Sequence, residues 1–218
     1  MIKEGDFVNL DYVGKVKESG EVFDVTSEEF AKKFNVFDEK IKYHPVTIIV
    51  GEKFLIKGVE DSLIGKNEGD SYSIEIKSVD AFGERNPELI KLIPTRYFNK
   101  EEITPYPGLR VNIDGLIGTI RSVSGGRVIV DFNHPLAGKD VEYEIKVNRI
   151  LKDDKEKVLS LVSFFTGMSE NECGIEISEK VVKIKIKEKE IPKEVKKRIS
   201  ELIKKHIKLE KVEFVEEY

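Results

Sequence analysis

Apolar and polar residues alternate at two different periods along this chain, and the switches between periods mark its elements. From residue 2 to 16, Phe7, Val8, Leu10, Tyr12, Val13 and Val16 are set among polar residues, which is strand character. Lys17-Glu18-Ser19-Gly20 reads as a turn and residues 21–25 as a second strand, so the two predict a hairpin. Residues 27–34 begin with a loosely met capping box and predict a short helix. Residues 46–50 are a β-branched strand. Leu55, Ile56, Val59 and Leu63 fall at helical spacing, residues 65–70 form a loop, and alternation returns over 71–79.

The pattern changes after Phe82-Gly83. Residues 86–107 are proline-spaced and read as irregular. Residues 110–132 carry two hairpin signals, Asp114-Gly115 and Gly125-Gly126, between alternating segments, which suggests a small all-β unit. Asn133-His134-Pro135-Leu136-Ala137-Gly138 then breaks the chain before a strongly alternating strand over 141–150. Residues 153–155 look like a boundary. Beyond them lie an apolar helix at 158–165, strands at 175–177 and 181–186, a helix starting at Pro192 with the stripe Val195, Ile199, Leu202 and Ile207, and a last strand at 210–215. Residues 153–218 therefore predict a small α+β module.

Composition narrows the class. Apolar residues make up 39% of the 218 and charged residues 36%, enough to build cores and too ordered a mixture for global disorder. The net charge of -4 speaks against a dedicated nucleic-acid binder. The acidic excess lies before residue 153, since the segment after it is balanced. No run approaches the roughly 18 apolar residues of a membrane span, and the start is charged without a signal-peptide core. The expected setting is cytoplasmic, with no nucleic-acid and no membrane partner.

The candidate chemistry is thin by elimination. Cys173 is the single cysteine, which excludes an internal disulfide and a multi-cysteine zinc site. His44, His134 and His206 lie in distant segments, and nothing resembles HExxH, so no metal is expected and His134 reads as a turn residue. There is no GxSxG and no phosphate-binding GxxxxGK[ST]. The lysines of 193–205 are diluted by Glu190, Glu194 and Glu201 and read as a solvated face. What remains is an apolar and aromatic set, Tyr12, Phe23, Leu55, Ile56, Val59, Phe82 and Tyr143, which pattern alone assigns to a core.

The segment "VGEKFLIKGVEDSLIGKNEGD" (50–70) resembles the FKBP-type peptidyl-prolyl isomerases. "VNLDYVGKV" and "SGEVFDVT" precede it and "VDAFGERNP" follows it, in that family's order. About 50 residues then separate Phe82-Gly83 from the closing strand, the layout of the SlyD-like branch with an inserted flap domain. The N-H-x-L-A-G segment at the junction is similar to that branch, and the C-terminal extension fits its long archaeal form. The resemblance covers 1–150 by motif and 153–218 by layout only.

The resemblance implies an α+β fold. An antiparallel sheet wrapped on a short helix would use residues 1–85 plus 134–152, an inserted all-β flap domain residues 86–133, and a C-terminal α+β module residues 153–218. It implies a peptidyl-prolyl cis-trans isomerase without cofactor, acting on unfolded or proline-containing polypeptides. The alternative is a chaperone or adaptor that keeps the fold with little catalysis. In the implied pocket Tyr12 supplies a hydroxyl and a wall, and Phe23 and Asp24 form the second-strand pair. Leu55 and Ile56 offer a backbone N–H to a substrate carbonyl, Val59 is the floor, and Tyr143 is an aromatic on the last strand. Val46, Val59 and Phe82 stand where many members carry an aromatic, a tryptophan and a tyrosine. In the insert, Tyr97, Phe98, Leu116 and Ile117 are expected to form an exposed apolar groove for unfolded chains, the alternative being that they fill the insert's small core. A lone module of 153–218 would have a marginal core, so a homodimer through it is expected.

Overall fold

The computed structural model describes residues 1–169, 171–187 and 190–217. Residues 170, 188, 189 and 218 of the expected C-terminal module lie outside the described residues. In chain order the strands and helices are β1 (Phe7–Val16), β2 (Val22–Val25), α1 (Glu28–Lys33), β3 (Val46–Ile49), α2 (Lys57–Leu63), β4 (Ser71–Ile76), β5 (Ile90–Pro94), α3 (Thr95–Lys100), β6 (Arg110–Ile113), β7 (Leu116–Ser124), β8 (Arg127–Asp131), β9 (Val141–Ile150), α4 (Asp154–Thr166), β10 (Cys173–Ser178), β11 (Val181–Lys187), α5 (Lys193–Leu202) and β12 (Lys211–Glu217). The chain divides into two compact units, residues 1–76 with 141–218, and residues 77–140.

The first unit is built on β1. One edge of β1 pairs along its length with β9, and the other is shared by β2 near its end and β3 near its start. β4 completes the sheet outside β9, and every pairing is antiparallel. Strand alternation sends Val8, Leu10 and Tyr12 to one face, together with their partners Ile145 and Val147 and with Tyr143. All six are buried. Burying such side chains is worth about 1.5–3 kcal/mol each and fixes the register, because a one-residue slip would turn them all to water. On α2, Val59 and Leu63 are fully buried, and Gly58 lies so close to Ile76 of β4 that no side chain fits between them.

The opposite face of the same sheet carries Phe7 and Ile49, and these join the core of the C-terminal segment. There α4 is capped by Asp153, whose carboxylate accepts the Glu156 N–H at 2.9 Å, and ends at left-handed Gly167. β11 pairs antiparallel with β10 and parallel with β12, a crossover made by α5 and a π-helical turn at Ile203–Ile207. Val158, Leu161, Val162, Ile184, Ile199 and Leu202 share one cluster with Phe7, Ile49 and Leu151. The apolar surface that the sequence left without a partner is thus covered in part by the host sheet of the same chain.

The second unit holds a four-stranded antiparallel sheet in the order β5-β8-β7-β6. Both hairpin signals form: Asp114 and Gly115, then Gly125 and Gly126, take positive φ, the geometry a two-residue hairpin loop demands. The segment expected to be irregular contains β5 and α3. Phe98 of α3 is fully buried with Val111, Ile113, Ile120, Val128 and Val130, so it is the centre of this core and not part of an exposed groove. Asp131, 4% exposed, organises the other face. It accepts the Arg121 Nε–H and Nη2–H at 3.0 Å, pairs with Arg85, and accepts the Asn133 N–H at 2.9 Å. Among the described residues no helix is long and apolar enough to cross a membrane.

Candidate isomerase site

Three aromatic side chains meet where β1, β2 and β9 run side by side. Gly14 of β1 lies opposite Asp24 of β2 and Tyr143 of β9. The ring of Tyr143 is 5.5 Å from that of Tyr12 and 5.8 Å, edge-on, from that of Phe23. Gly14 makes this gathering feasible. A Cβ there would stand 2.8 Å from two Phe23 ring carbons and 3.0 Å from Tyr143. The sequence signal for this residue was a glycine in the middle of a strand, which marks close approach; no role was assigned to it.

Asp24 is exposed, and its Oδ2 accepts the Tyr12 hydroxyl at 2.7 Å. Burial, and after it the charge and hydrogen bond of Asp24, hold the Tyr12 phenol well above its ordinary range. Burial and Asp24 act on Tyr143 in the same direction. Both hydroxyls therefore keep their protons at neutral pH and remain donors. Behind the strand, Thr26 Oγ1 accepts the Tyr12 N–H at 2.8 Å and donates to Asp11 at 3.1 Å, which ties β2's exit to β1.

The turn between β3 and α2 is held from within by Glu60, 5% exposed on α2. Its Oε2 accepts the N–H of Gly51 at 2.8 Å and of Lys53 at 3.2 Å, and its Oε1 accepts that of Leu55 at 2.9 Å. A carboxylate with three amide donors fixes the loop that leads into Leu55 and Ile56, both half-buried. The Ile56 carbonyl starts α2 by accepting the N–H of Val59 and Glu60, while its own N–H has no acceptor among the described residues. Sequence reasoning passed over Glu60, since a glutamate in a short helix reads as solvated.

Among the other expected residues, Val46 is half-buried at the start of β3 and lines a groove of about 360 Å³ with His44, Thr47 and, from α4, Ser163 and Phe164. Phe82 belongs to the second unit, where its ring stacks on His134 at 4.7 Å. His134 Nδ1 accepts the Leu136 N–H at 3.2 Å and its carbonyl accepts that of Ala137, so this histidine shapes a turn. Leu116 and Ile117 are 60% and 58% exposed at the β6–β7 hairpin, while Tyr97 packs against the insert core. A polar groove of about 340 Å³ opens on the other face of the main sheet, between Asp11, Lys33, Glu144 and Lys146, away from the three aromatics.

Comparison with known proteins decides what this scaffold is. The model of the FKBP-type peptidyl-prolyl cis-trans isomerases matches residues 1–99, and that of the FKBP26 IF domain matches residues 91–136. The short-type peptidyl-prolyl cis-trans isomerase of Methanocaldococcus jannaschii is 34% identical over 156 residues, 72% of this chain and 98% of the relative. The chain belongs to the FKBP-type peptidyl-prolyl cis-trans isomerases. Two further relatives are the FKBP-type 16 kDa isomerase of Escherichia coli K12 and the SlyD isomerase of Treponema pallidum. The first is 35% identical over 111 residues, 49% of this chain and 74% of the relative. The second is 31% identical over 130 residues, 58% of this chain and 73% of the relative. This isomerase is SlyD-like, with the α+β architecture the resemblance implied.

Proposed function

We propose that Xaa-Pro bonds are isomerised over the Tyr12, Phe23 and Tyr143 rings, with the Ile56 N–H holding a substrate carbonyl. The observation that carries this reading is the Tyr12–Asp24 hydrogen bond among the rings, which fixes a protonated hydroxyl in an otherwise aromatic wall. The planar Xaa-Pro amide crosses a barrier of about 18–20 kcal/mol, and the twisted amide at its top has lost resonance and is less polar. An apolar, dry surface binds the twisted form better than the planar one, and each about 1.4 kcal/mol of that difference is tenfold in rate. Neither a nucleophile nor a proton transfer enters the step. Leu55 and Val59 complete the apolar surroundings, and Val46 and Phe82 belong to the same implied set.

We assign the inserted segment, 86–133, to holding unfolded or extended chains. Leu92, Leu116, Ile117 and Tyr106 are all more than half exposed there, and Ile117 also lines a groove of about 330 Å³ with Phe132 and Pro135. Exposed apolar groups of this density favour contact with other chains. Exchange NMR on an Xaa-Pro tetrapeptide and refolding of a proline-limited protein test both assignments together. Asp24→Ala, which removes the acceptor that orients the Tyr12 hydroxyl, should lower kcat/KM on the tetrapeptide about tenfold, the equivalent of about 1.4 kcal/mol of differential binding. Removing 86–133 should depress turnover of the unfolded protein far more than that of the tetrapeptide; equal losses would reject the holding role. The cytoplasm suits such a folding enzyme.

The homodimer through residues 153–218 belongs to this reading. β10 and β12 are outer strands of a three-stranded sheet, each paired on one side only among the described residues. Light scattering should give twice the chain mass, and a monomeric mass would remove the dimer.

A further inference from the structure

The C-terminal segment grips the loop that leads into the Ile56 amide. Residues 50–55 leave β3 in a tight turn, with the Glu52 N–H donating to the Ile49 carbonyl at 3.2 Å and with Gly51 and Lys53 both left-handed. Glu60 holds the inner side of this turn. Glu52 points the other way, and its side chain is only 9% exposed. Three cationic or protonatable groups of the C-terminal segment converge on it. Arg198 Nη2 of α5 donates to Oε2 at 3.1 Å and also reaches the Glu52 carbonyl at 3.4 Å. From the π-helical turn, Lys205 Nζ donates to Oε1 at 2.5 Å, and His206 Nε2 lies 2.8 Å from the same oxygen.

The grip is built from both ends. His206 is 12% exposed and stands edge-on to Phe7 of β1, with ring centroids 6.5 Å apart. Its Nδ1 lies so close to Gly5 that a Cβ there would come within 3.2 Å of it. The side chain of Glu4 lies over Gly51 on the remaining side. Burial alone would raise the Glu52 pKa, but hydrogen bonds from Lys205 and His206 and their charges bring it down to about 2. The carboxylate thus stays ionised in the folded protein across the neutral range.

We propose that Glu52 is a positioning residue, through which the C-terminal segment sets the place and stiffness of the Ile56 N–H in the isomerase site. The turn has two left-handed residues, one of them a lysine, and such backbone persists only where surrounding contacts over-determine it. Glu60 supplies those contacts on one side, and Arg198, Lys205 and His206 supply them on the other. A carbonyl-holding amide displaced by a fraction of an ångström binds substrate less well and leaves the aromatic wall untouched. The inference rests on the reading that Ile56 takes the substrate carbonyl.

Charge reversal on the full chain tests it. Glu52→Lys should raise KM for an Xaa-Pro tetrapeptide about fivefold to tenfold with little change in kcat, and speed hydrogen exchange at Lys53 and Leu55, whose amides donate to Glu60, by a similar factor. Amides of β1 and β9 should exchange as before, which separates a loosened loop from a destabilised fold. Combining Glu52→Lys with Arg198→Glu and Lys205→Glu should bring both KM and exchange back toward the parent values. Unchanged KM and unchanged exchange in Glu52→Lys would overturn the proposal, as would the absence of rescue with a fold intact by denaturant titration. Ile56→Pro tests the underlying reading by itself, because the φ of -60° at this position already suits proline while its N–H is deleted. Full activity in that variant would discard the amide's role, whatever Glu52 does.

Discussion

Glu60→Ala is expected to destabilise the first unit by about 3–5 kcal/mol, the larger of the two strongest effects anticipated for this isomerase. The carboxylate is buried and receives three backbone N–H groups, from Gly51, Lys53 and Leu55. Alanine leaves all three as orphan donors, each costing about 1–3 kcal/mol where water does not reach it. The loss is not confined to the loop. Glu60 follows fully buried Val59 on α2, and α2 packs through Gly58 against Ile76, so the helix and the sheet feel the collapse together. Urea titration reads the change as a lower midpoint with a similar slope. Glu60→Gln should be milder, because one carbonyl oxygen still accepts while the amide NH₂ opposes a backbone donor. An alanine variant within about 1 kcal/mol of the parent would show that water or another side chain takes over the three donors.

What the pattern of the chain made legible was which residues share a face. Alternation placed the closing strand at the bounds it has in the structure, Val141–Ile150, because Val141, Tyr143, Ile145 and Val147 are all buried on one side of it. Asp114-Gly115 and Gly125-Gly126 marked their hairpins because both loops need two residues at positive φ. β5 was hidden since it is short, ends in Pro94 and keeps only Ile93 even partly covered, so its apolar residues lack the contrast that alternation needs. Phe98 stood open between groove and core for a related reason. Periodicity over one turn and a half of α3 cannot say which side meets the sheet, and tertiary packing buried it completely.

The candidate site was legible through family motifs, and its supports were not. Tyr12, the adjacent pair Phe23-Asp24 and Tyr143 lie on three different strands, Tyr143 more than a hundred residues further along the chain, and only the register of β1 with β2 and β9 brings them together. Glu60 and Asp131 carry no sequence signal of their roles, because their partners are loop amides and arginine side chains that only the folded turn and sheet bring to them. Residues 153–218 showed an apolar stripe on α5 and alternation on β11, but neither says what covers them. The covering surface proved to include Phe7 and Ile49, on the face of the host sheet opposite the aromatic wall. That arrangement places Arg198, Lys205 and His206 within reach of the turn before α2.

Gly14→Val is the second strong expectation, and its effect falls on catalysis more than on stability. A Cβ at this position meets Phe23 Cε2 and Cζ at 2.8 Å and Tyr143 Cζ at 3.0 Å, closer than carbon atoms approach without displacement. The two rings are not equally free to yield. Tyr143 is 4% exposed and inside the sheet's buried face, whereas Phe23 is half-buried on the short outer strand β2. Phe23 should therefore swing outward, taking one wall of the aromatic surface with it. Overpacking of this kind costs about 1–3 kcal/mol, which leaves a folded protein for assay. If the wall favours the twisted amide by about 1.4 kcal/mol or more, its loss lowers kcat about tenfold with KM nearly unchanged, since planar and twisted forms differ only at the top of the barrier. Gly14→Ala should show the same direction at smaller size. Chemical shifts of the Phe23 ring report the displacement directly. A displaced ring with an unaltered kcat would remove Phe23 from the catalytic surface and leave the step to Tyr12 and Tyr143.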